Sequence, residues 1–352
     1  MMKDITQIFY IHSNITYLAA LSIIQEKKFN EPLLLFGRAY RNDFLQNDYQ
    51  KIYLDKTIDS LNSIPSYGRR WLVIKYAGPL NQIKTLLSKY GSAGYVCYLP
   101  HIKNYLMQYI VMNKRCKSFS IMDEGLLSYT NPKIFLKQNH KRYQQTYLSK
   151  IRSLLKYVNH ANASSAYFPI KARLDRIYLF YEDLKRVWEG VNVSIMKWPI
   201  IDANLPDFSN KRIYILDNLD NNTFLDPENI PKILHGIFKQ FKNCELYVKC
   251  HPANRNIEEI IRILKSAEVN YKVINPNVPL ELVFMQSKNI KVYGLFSSLL
   301  FYASIFGHDS ISYAKYAEPY DPMIKNMMGN YMPRIFFEKV KIVDILSSNM
   351  RE

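Results

Sequence analysis

Three short stretches of the chain carry residue types that can move a proton or hold an anion. Asp123-Glu124-Gly125 sets two carboxylates before a glycine at the end of the apolar run KSFSIM (117–122). Lys249 and His251 close a second run, ELYVKC (245–250), and Pro252 stops it, because proline has no N–H to continue a strand ladder. Ser297-Ser298 opens the helical stretch SSLLFYASIFG (297–307), and serine is a favoured helix N-cap. A carboxylate can take a proton from a hydroxyl, and an imidazole can give one to a leaving group. Two hydroxyls and the backbone N–H groups of a helix N-terminus can cradle an anion. Each stretch also has a purely structural reading, as a strand-ending turn, an arrested strand and a helix cap. Asp217 and Asn218, at the end of the run RIYILD (212–217), are further polar residues at a strand end.

These residues depend on elements that bring strand ends together. ITQIFYI (5–11), PLLLFG (32–37), KIYLD (51–55), WLVIKYA (71–77), YVCYL (95–99) and KSFSIM read as strands, with Ser13 or Asn14 capping a helix after the first. The second half repeats the grammar. Strands over 212–217, 245–250, 271–275, 290–295 and 310–314 alternate with helices over 227–241, 257–267, 279–286 and 297–307, and 310–314 reads as the last strand. Strands alternating with helices argue for βαβ units and parallel sheets. The proline-containing stretch KWPIIDANLPDFSN (197–210) marks a boundary. The expected fold is α/β: a Rossmann-like domain over 1–200 and another over 201–352, facing a central cleft lined by strand ends.

Length and charge narrow the function classes. At 352 residues the chain exceeds one typical core, in keeping with two domains. No stretch approaches the roughly 18 apolar residues of a membrane span, and MMKDITQIFYIHSN reads as a first strand and not a signal peptide. The four cysteines are too few and too irregular for a disulfide framework, which points to a reducing cytoplasm, and no C-x-x-C knuckle suggests zinc. The net charge of +17 calls for an anionic partner. Between Glu124 and Asp175 there is no acidic residue, while Lys133, Lys137, Lys141, Arg142, Lys150, Arg152 and Lys156 fall there, with helical apolar spacing from Tyr147 to Tyr157. That stripe reads either as a docked surface helix or as a peripheral contact with anionic membrane. No zinc finger, RNA-binding aromatic signature or basic heptad region supports nucleic acid.

In this order and on these elements, Asp123-Glu124-Gly125, His251-Pro252 and Ser297-Ser298 resemble the bacterial GT-B sialyltransferases, the lipooligosaccharide sialyltransferase and capsule polysialyltransferase group. That group carries a D/E-D/E-G motif in its first domain, then H-P, then a paired S/T-S/T. The sequence departs from it after the first strand, where His12-Ser13-Asn14 replaces a Thr-Pro-like turn. The resemblance implies transfer of sialic acid from CMP-sialic acid to a glycan hydroxyl, with inversion and without cofactor or metal; no D-x-D pair is present. It makes Glu124 the base, with Asp123 as runner-up or supporting partner, His251 the acid on the departing phosphate, and Ser297 and Ser298 the phosphate cradle. Gly125 and Pro252 belong to the same motifs, and Lys249 and Arg255 would add positive charge. Glu281 resembles the acid that holds the cytidine ribose hydroxyls, or else is a helix-start carboxylate, and Asp217 and Asn218 line the same cleft. The implied setting is the inner face of a bacterial inner membrane, with a homodimer left open. The competing readings are a GT-B transferase of another donor, Kdo or hexose, and a non-catalytic basic protein of the membrane surface.

Overall fold

The computed structural model describes residues 5–38, 40, 48–59, 61, 77–102, 105–129, 174–181, 192–201, 204–217, 226, 228–251 and 257–344. The chain divides into two compact units, Met1–Ala203 and Asn204–Glu352.

The first unit is built on a seven-stranded sheet. Its strands are β1 (Thr6–Ile11), β2 (Leu33–Phe36), β3 (Gln50–Tyr53), β4 (Tyr95–Leu99), β5 (Cys116–Met122), β6 (Leu174–Leu179) and β7 (Val193–Ile195). They lie in the order β3-β2-β1-β4-β5-β6-β7, and every neighbouring pair is parallel. Parallel strands covered on both faces read as continuous apolar runs rather than alternating ones, which is why Ile8–Ile11 and Leu33–Phe36 are buried without a break. The strand order reverses between β1 and β4, the switch point outside whose carboxyl ends α/β proteins bind ligands.

Two strands were not expected from the sequence. In β6 only Ile177, Tyr178 and Leu179 are buried, behind the charged Asp175 and Arg176, and β7 is three residues at the sheet edge. Of the run 71–77, residues 71–76 lie outside the described residues, and Ala77 begins helix α2 (Ala77–Tyr90), not a strand. Helix α1 (Asn14–Lys27) starts at Ser13, whose hydroxyl accepts from the Thr16 N–H while the Thr16 side chain accepts from the Ser13 N–H, a reciprocal capping box. The helix is buried continuously from Ile15 to Ile24; it packs on the sheet and is hydrogen-bonded to the segment 196–201. There Ser22 donates to the Lys197 carbonyl, and the Gln25 carboxamide exchanges two 3.0 Å hydrogen bonds with the backbone of Ile200. Trp198 stacks on Phe180 at 3.7 Å.

The second unit is a six-stranded parallel sheet. It comprises β8 (Arg212–Ile215), β9 (Glu245–Lys249), β10 (Asn270–Val273), β11 (Lys291–Gly294), β12 (Asp309–Ser312) and β13 (Lys341–Ile342), in the order β10-β9-β8-β11-β12-β13. Here β13 follows the segment the sequence marks as the last strand; two residues are too few to read from a pattern. Helices α4 (Ile230–Phe238) and α5 (Ile257–Ser266), numbered after α3 (Tyr105–Met112) of the first unit, bury Ile233, Leu234, Ile237 and Phe238, and Ile260, Ile263 and Leu264. That is the i, i+3, i+4 spacing of a core-facing stripe, and each such side chain contributes about 1.5–3 kcal/mol. Several tyrosines belong to this core: Tyr214 meets Phe238 edge-on, and Phe241 meets Tyr293 and Tyr313. The sheet reverses between β8 and β11, and there an added Cβ on Gly294 would meet the Ile215 carbonyl at 2.9 Å, so glycine permits the close approach.

Among the described residues no helix is long and apolar enough to cross a membrane. The basic stripe falls mostly on residues 130–173, outside the described residues.

Candidate active site

At the carboxyl end of β5 the chain turns through Asp123, Glu124 and Gly125, and the two carboxylates go separate ways. Asp123 is 0% exposed. It accepts from the Gly125 N–H at 2.9 Å, from the Phe180 N–H at 3.2 Å and from the Tyr129 hydroxyl. Burial, and then the Asp123 charge, push the Tyr129 hydroxyl well above its ordinary pKa, so it stays a donor. Gly125 sits at φ 115°, a conformation that L side chains rarely adopt. Ser128 holds the other side of the turn: its hydroxyl accepts from the Glu124 N–H at 2.9 Å.

Glu124 is thereby aimed along the ends of the neighbouring strands. Its Oε2 lies 3.7 Å from Nε2 of His101, which follows β4, and the two side chains are 7% and 5% exposed. Arg38, after β2, has Nη2 at 3.2 Å from the same Nε2. His12, after β1, places its ring 5.8 Å from that of His101. The switch point of the first unit therefore carries a carboxylate, two imidazoles and a guanidinium on four consecutive strand ends. Ser13 and Asn14 serve α1: Ser13 caps it, and Asn14 accepts from the Tyr40 hydroxyl at 2.7 Å.

In the second unit His251 follows β9 with its residue exposed, and the protein on its inner side lowers its pKa from the ordinary value. Lys249, two residues earlier, is 6% exposed and donates to three carbonyls: Asn275 at 2.9 Å, Pro276 at 2.7 Å and Val278 at 2.8 Å. Its three N–H donors are thus engaged in the loop that leads into α6 (Leu280–Gln286), and burial brings its pKa down to about 8 against the opposing charge of Glu281. Glu281, half-buried, stands in the first turn of α6.

Ser297 is the N-cap of α7 (Ser298–Ile305), its hydroxyl accepting from the Leu299 N–H at 3.3 Å. Ser297 and Ser298 are both partly exposed. The loop before them is gripped from both neighbouring strands. On one side Asp217 accepts from the Phe296 N–H at 3.4 Å, and burial raises its carboxyl to about 6. On the other the Ser312 hydroxyl donates to the Leu295 carbonyl at 2.6 Å. Asn218, Pro252 and Arg255 lie outside the described residues. No group of three or more His, Cys, Asp or Glu that could hold a metal ion occurs among the described residues.

The model of the alpha-2,8-polysialyltransferase family matches residues 7–315, which take in all three motifs. The chain belongs to the alpha-2,8-polysialyltransferase family. No curated protein matches it. Among solved structures the S. aureus MnaA–UDP co-structure superposes with a TM-score of 0.51 at 10% identity, covering 88% of this chain and 79% of that one. The spinosyn forosaminyltransferase SpnP does so with a TM-score of 0.50 at 10% identity, covering 88% and 80%. These likenesses concern the fold: the chain is an α/β protein of the GT-B class, with two Rossmann-like units.

For this polysialyltransferase-family chain, a glycosyltransferase by its family, sequence reasoning found the three motifs but passed over residues that hold them. Ser312, Tyr129 and Arg38 carry no local pattern that sets them apart. His101 did carry a signal: Pro100-His101 ends β4 much as His251-Pro252 ends β9, a histidine beside a proline at a strand terminus. Lys249, expected to add charge toward a phosphate, has its donors in the 275–278 loop.

Proposed function

We propose that the chain is an inverting, metal-independent sialyltransferase that moves sialic acid from CMP-sialic acid to a hydroxyl of a cell-surface glycan: lipooligosaccharide, O-antigen or capsule. The observation that carries this reading is the family match over residues 7–315, which spans the three motifs in their order. The family's description names the α-2,8 linkage, so the terminal sialic acid of a growing chain is the acceptor we favour.

In this reading Glu124 accepts the proton of the acceptor hydroxyl as its oxygen attacks the anomeric carbon. Asp123, fully buried and engaged by three donors, positions the turn and does not react. The bond to the CMP phosphate breaks with its electrons on the phosphate, which His251 protonates or hydrogen-bonds. Ser297 and Ser298, at the N-terminus of α7, hold that phosphate. Asp217 and Ser312 fix the loop that presents them. Glu281 takes the ribose hydroxyls, and Lys249 fixes the loop that leads into its helix. The basic segment between Glu124 and Asp175 keeps the enzyme at the anionic inner face of the inner membrane.

The test is incubation with CMP-sialic acid and either an oligosialic acid primer or a lactose-type acceptor, with and without EDTA. CMP release with transfer to the primer, unaffected by EDTA, is the expected result. Transfer from a UDP-sugar or CMP-Kdo in place of CMP-sialic acid would overturn the donor.

A further inference from the structure

The amino ends of the second sheet, opposite the strand ends that carry His251 and Ser297, hold an open pocket of about 390 Å³. A pocket of this size takes a small polar ligand such as a sugar unit. Its lining repeats one design on three adjacent strands. Arg212, Lys291 and Asp309 are the first residues of β8, β11 and β12. Asn210, Asn289 and Gly307 each lie two positions earlier, in left-handed backbone at φ 60°, 53° and 82°. Lys291 pairs in register with Arg212 on one side and with Asp309 on the other. The three side chains thus share a face at the strand spacing of about 4.8 Å. Backbone bonds fix the rim: the Asn210 N–H donates to the Lys288 carbonyl at 2.9 Å, and the Lys291 N–H to the Lys211 carbonyl at 2.9 Å. The Asn289 carboxamide donates to that of Asn210 at 3.4 Å.

Charge selects the ligand. Arg212 and Lys291 stand side by side and repel each other. Among the described residues no ion pair ties either of them to a carboxylate, and Glu245, which opens β9, is taken by Lys211 at 3.7 Å and Lys272 at 2.6 Å. Asp309 offsets one of the two cations, so the pocket keeps a single net positive charge. A multiply charged phosphate would meet that carboxylate. A sugar with one carboxylate and several hydroxyls would satisfy every group. Arg212 and Lys291 donate to its carboxylate, the two asparagine carboxamides both donate and accept, and Asp309 accepts from hydroxyls. An added Cβ at Gly307 would meet nothing within 4 Å, so this side faces open space and leaves room for a chain to run past.

We propose that this pocket is a second glycan site, which holds one carboxylated sugar unit of the acidic polymer whose end is being extended. The identity of that polymer rests on the sialyltransferase reading above. One unit alone binds weakly here. A chain long enough to occupy the pocket and the reacting end together gains from being held twice. The pocket therefore acts on long acceptors and leaves the transfer step untouched.

Two measurements decide it. In ¹H–¹⁵N NMR of the full-length protein, an α-2,8-linked sialic acid hexamer is expected to shift the amides of Asn210, Asn289 and Gly307. Arg212→Gln with Lys291→Gln is expected to abolish those shifts, and Lys291→Arg, which keeps the charge, to retain them. Amides that stay in place, or that shift equally with a neutral glucose hexamer or with inorganic phosphate, overturn the proposal. This readout needs no turnover, so a protein that releases no CMP from CMP-sialic acid overturns the function reading and leaves the binding result to be judged by itself. In the active enzyme the double variant is expected to raise the KM for long primers about fivefold or more and to shorten the products, with kcat on a sialic acid trimer unchanged. A folded double variant with wild-type KM for long primers and wild-type product lengths overturns the role.

Discussion

The backbone N–H of Phe180 donates to the Asp123 carboxylate at 3.2 Å, joining the end of β6 to the end of β5 across 57 residues of sequence. Asp123 is thus the fastening of the turn that carries Glu124. Removing it leaves the N–H groups of Gly125 and Phe180 and the Tyr129 hydroxyl without their acceptor in a dry site. Asp123→Ala is expected to cost about 2–4 kcal/mol, since each buried donor left unsatisfied costs about 1–3 kcal/mol and neighbours relax in part. Denaturant unfolding checks this; a midpoint equal to that of the wild type would refute it.

Glu124→Gln keeps the shape of the side chain and removes its ability to take a proton. Turnover is expected to fall by roughly 100-fold or more while CMP affinity and the unfolding midpoint hold. Steady-state kinetics beside calorimetry separates this from the Asp123 variant, where stability changes first.

His251 titrates below the ordinary histidine value because its protonated form is poorly solvated at the end of β9. The acid form is then lost at lower pH in the free enzyme than for a solvated histidine. The basic limb of kcat/KM should therefore fall below about 6.5. A bound phosphate favours the imidazolium, so the basic limb of kcat should lie at higher pH than that of kcat/KM. Coincident basic limbs would remove His251 from the phosphate.

Ser297→Ala with Ser298→Ala is expected to weaken CMP binding by about 1–3 kcal/mol if both hydroxyls bond the phosphate. Ser297→Ala also removes the cap of α7, a loss of about 1 kcal/mol in stability. Calorimetry on the folded double variant, with CMP and with cytidine, distinguishes the two effects: cytidine lacks the phosphate, and its affinity should not change.

Lys249 loses its charge above about pH 8, and with it one of the donors shared among Asn275, Pro276 and Val278. The loop leading to Glu281 is expected to loosen, and CMP affinity to fall roughly fivefold, ~1 kcal/mol for one lost hydrogen bond. Global stability moves the other way. A lysine depressed in the folded state binds fewer protons there than unfolded, so its contribution to stability rises as pH climbs from about 8 toward the unfolded value of 10.5. Lys249→Arg, charged throughout, should abolish the step in CMP affinity between pH 7.5 and 9.5.

The strands that position these groups were legible because burial on both faces leaves unbroken apolar runs, as in β1 and β2. β6, β7 and β13 escaped because they are short, edge-placed or charged at one end. The three motifs stood out because each sits where an apolar run stops. Which of two adjacent carboxylates turns inward is not written locally: Phe180, 57 residues away, is part of the answer for Asp123. Lys249 is similar, since its three carbonyl partners lie 26 to 29 residues further along.

The segment that closes over α1 has a consequence for how the chain is made. Ser22 and Gln25 find their partners at Lys197 and Ile200, each 175 residues downstream. A ribosome adding about 5–20 residues per second leaves that helix uncovered for roughly ten to thirty-five seconds. During this interval α1 lacks the partners that Lys197 and Ile200 give it, and the later strands of its sheet are still to be made. Loop closure over such a separation is slow and comes late. The first unit is thus begun at its N-terminus but sealed only when the ribosome reaches the connection to the second, and a chain interrupted before residue 200 would leave α1, whose residues Ile15 to Ile24 are all buried in the finished fold, without that cover among chaperones and other nascent chains.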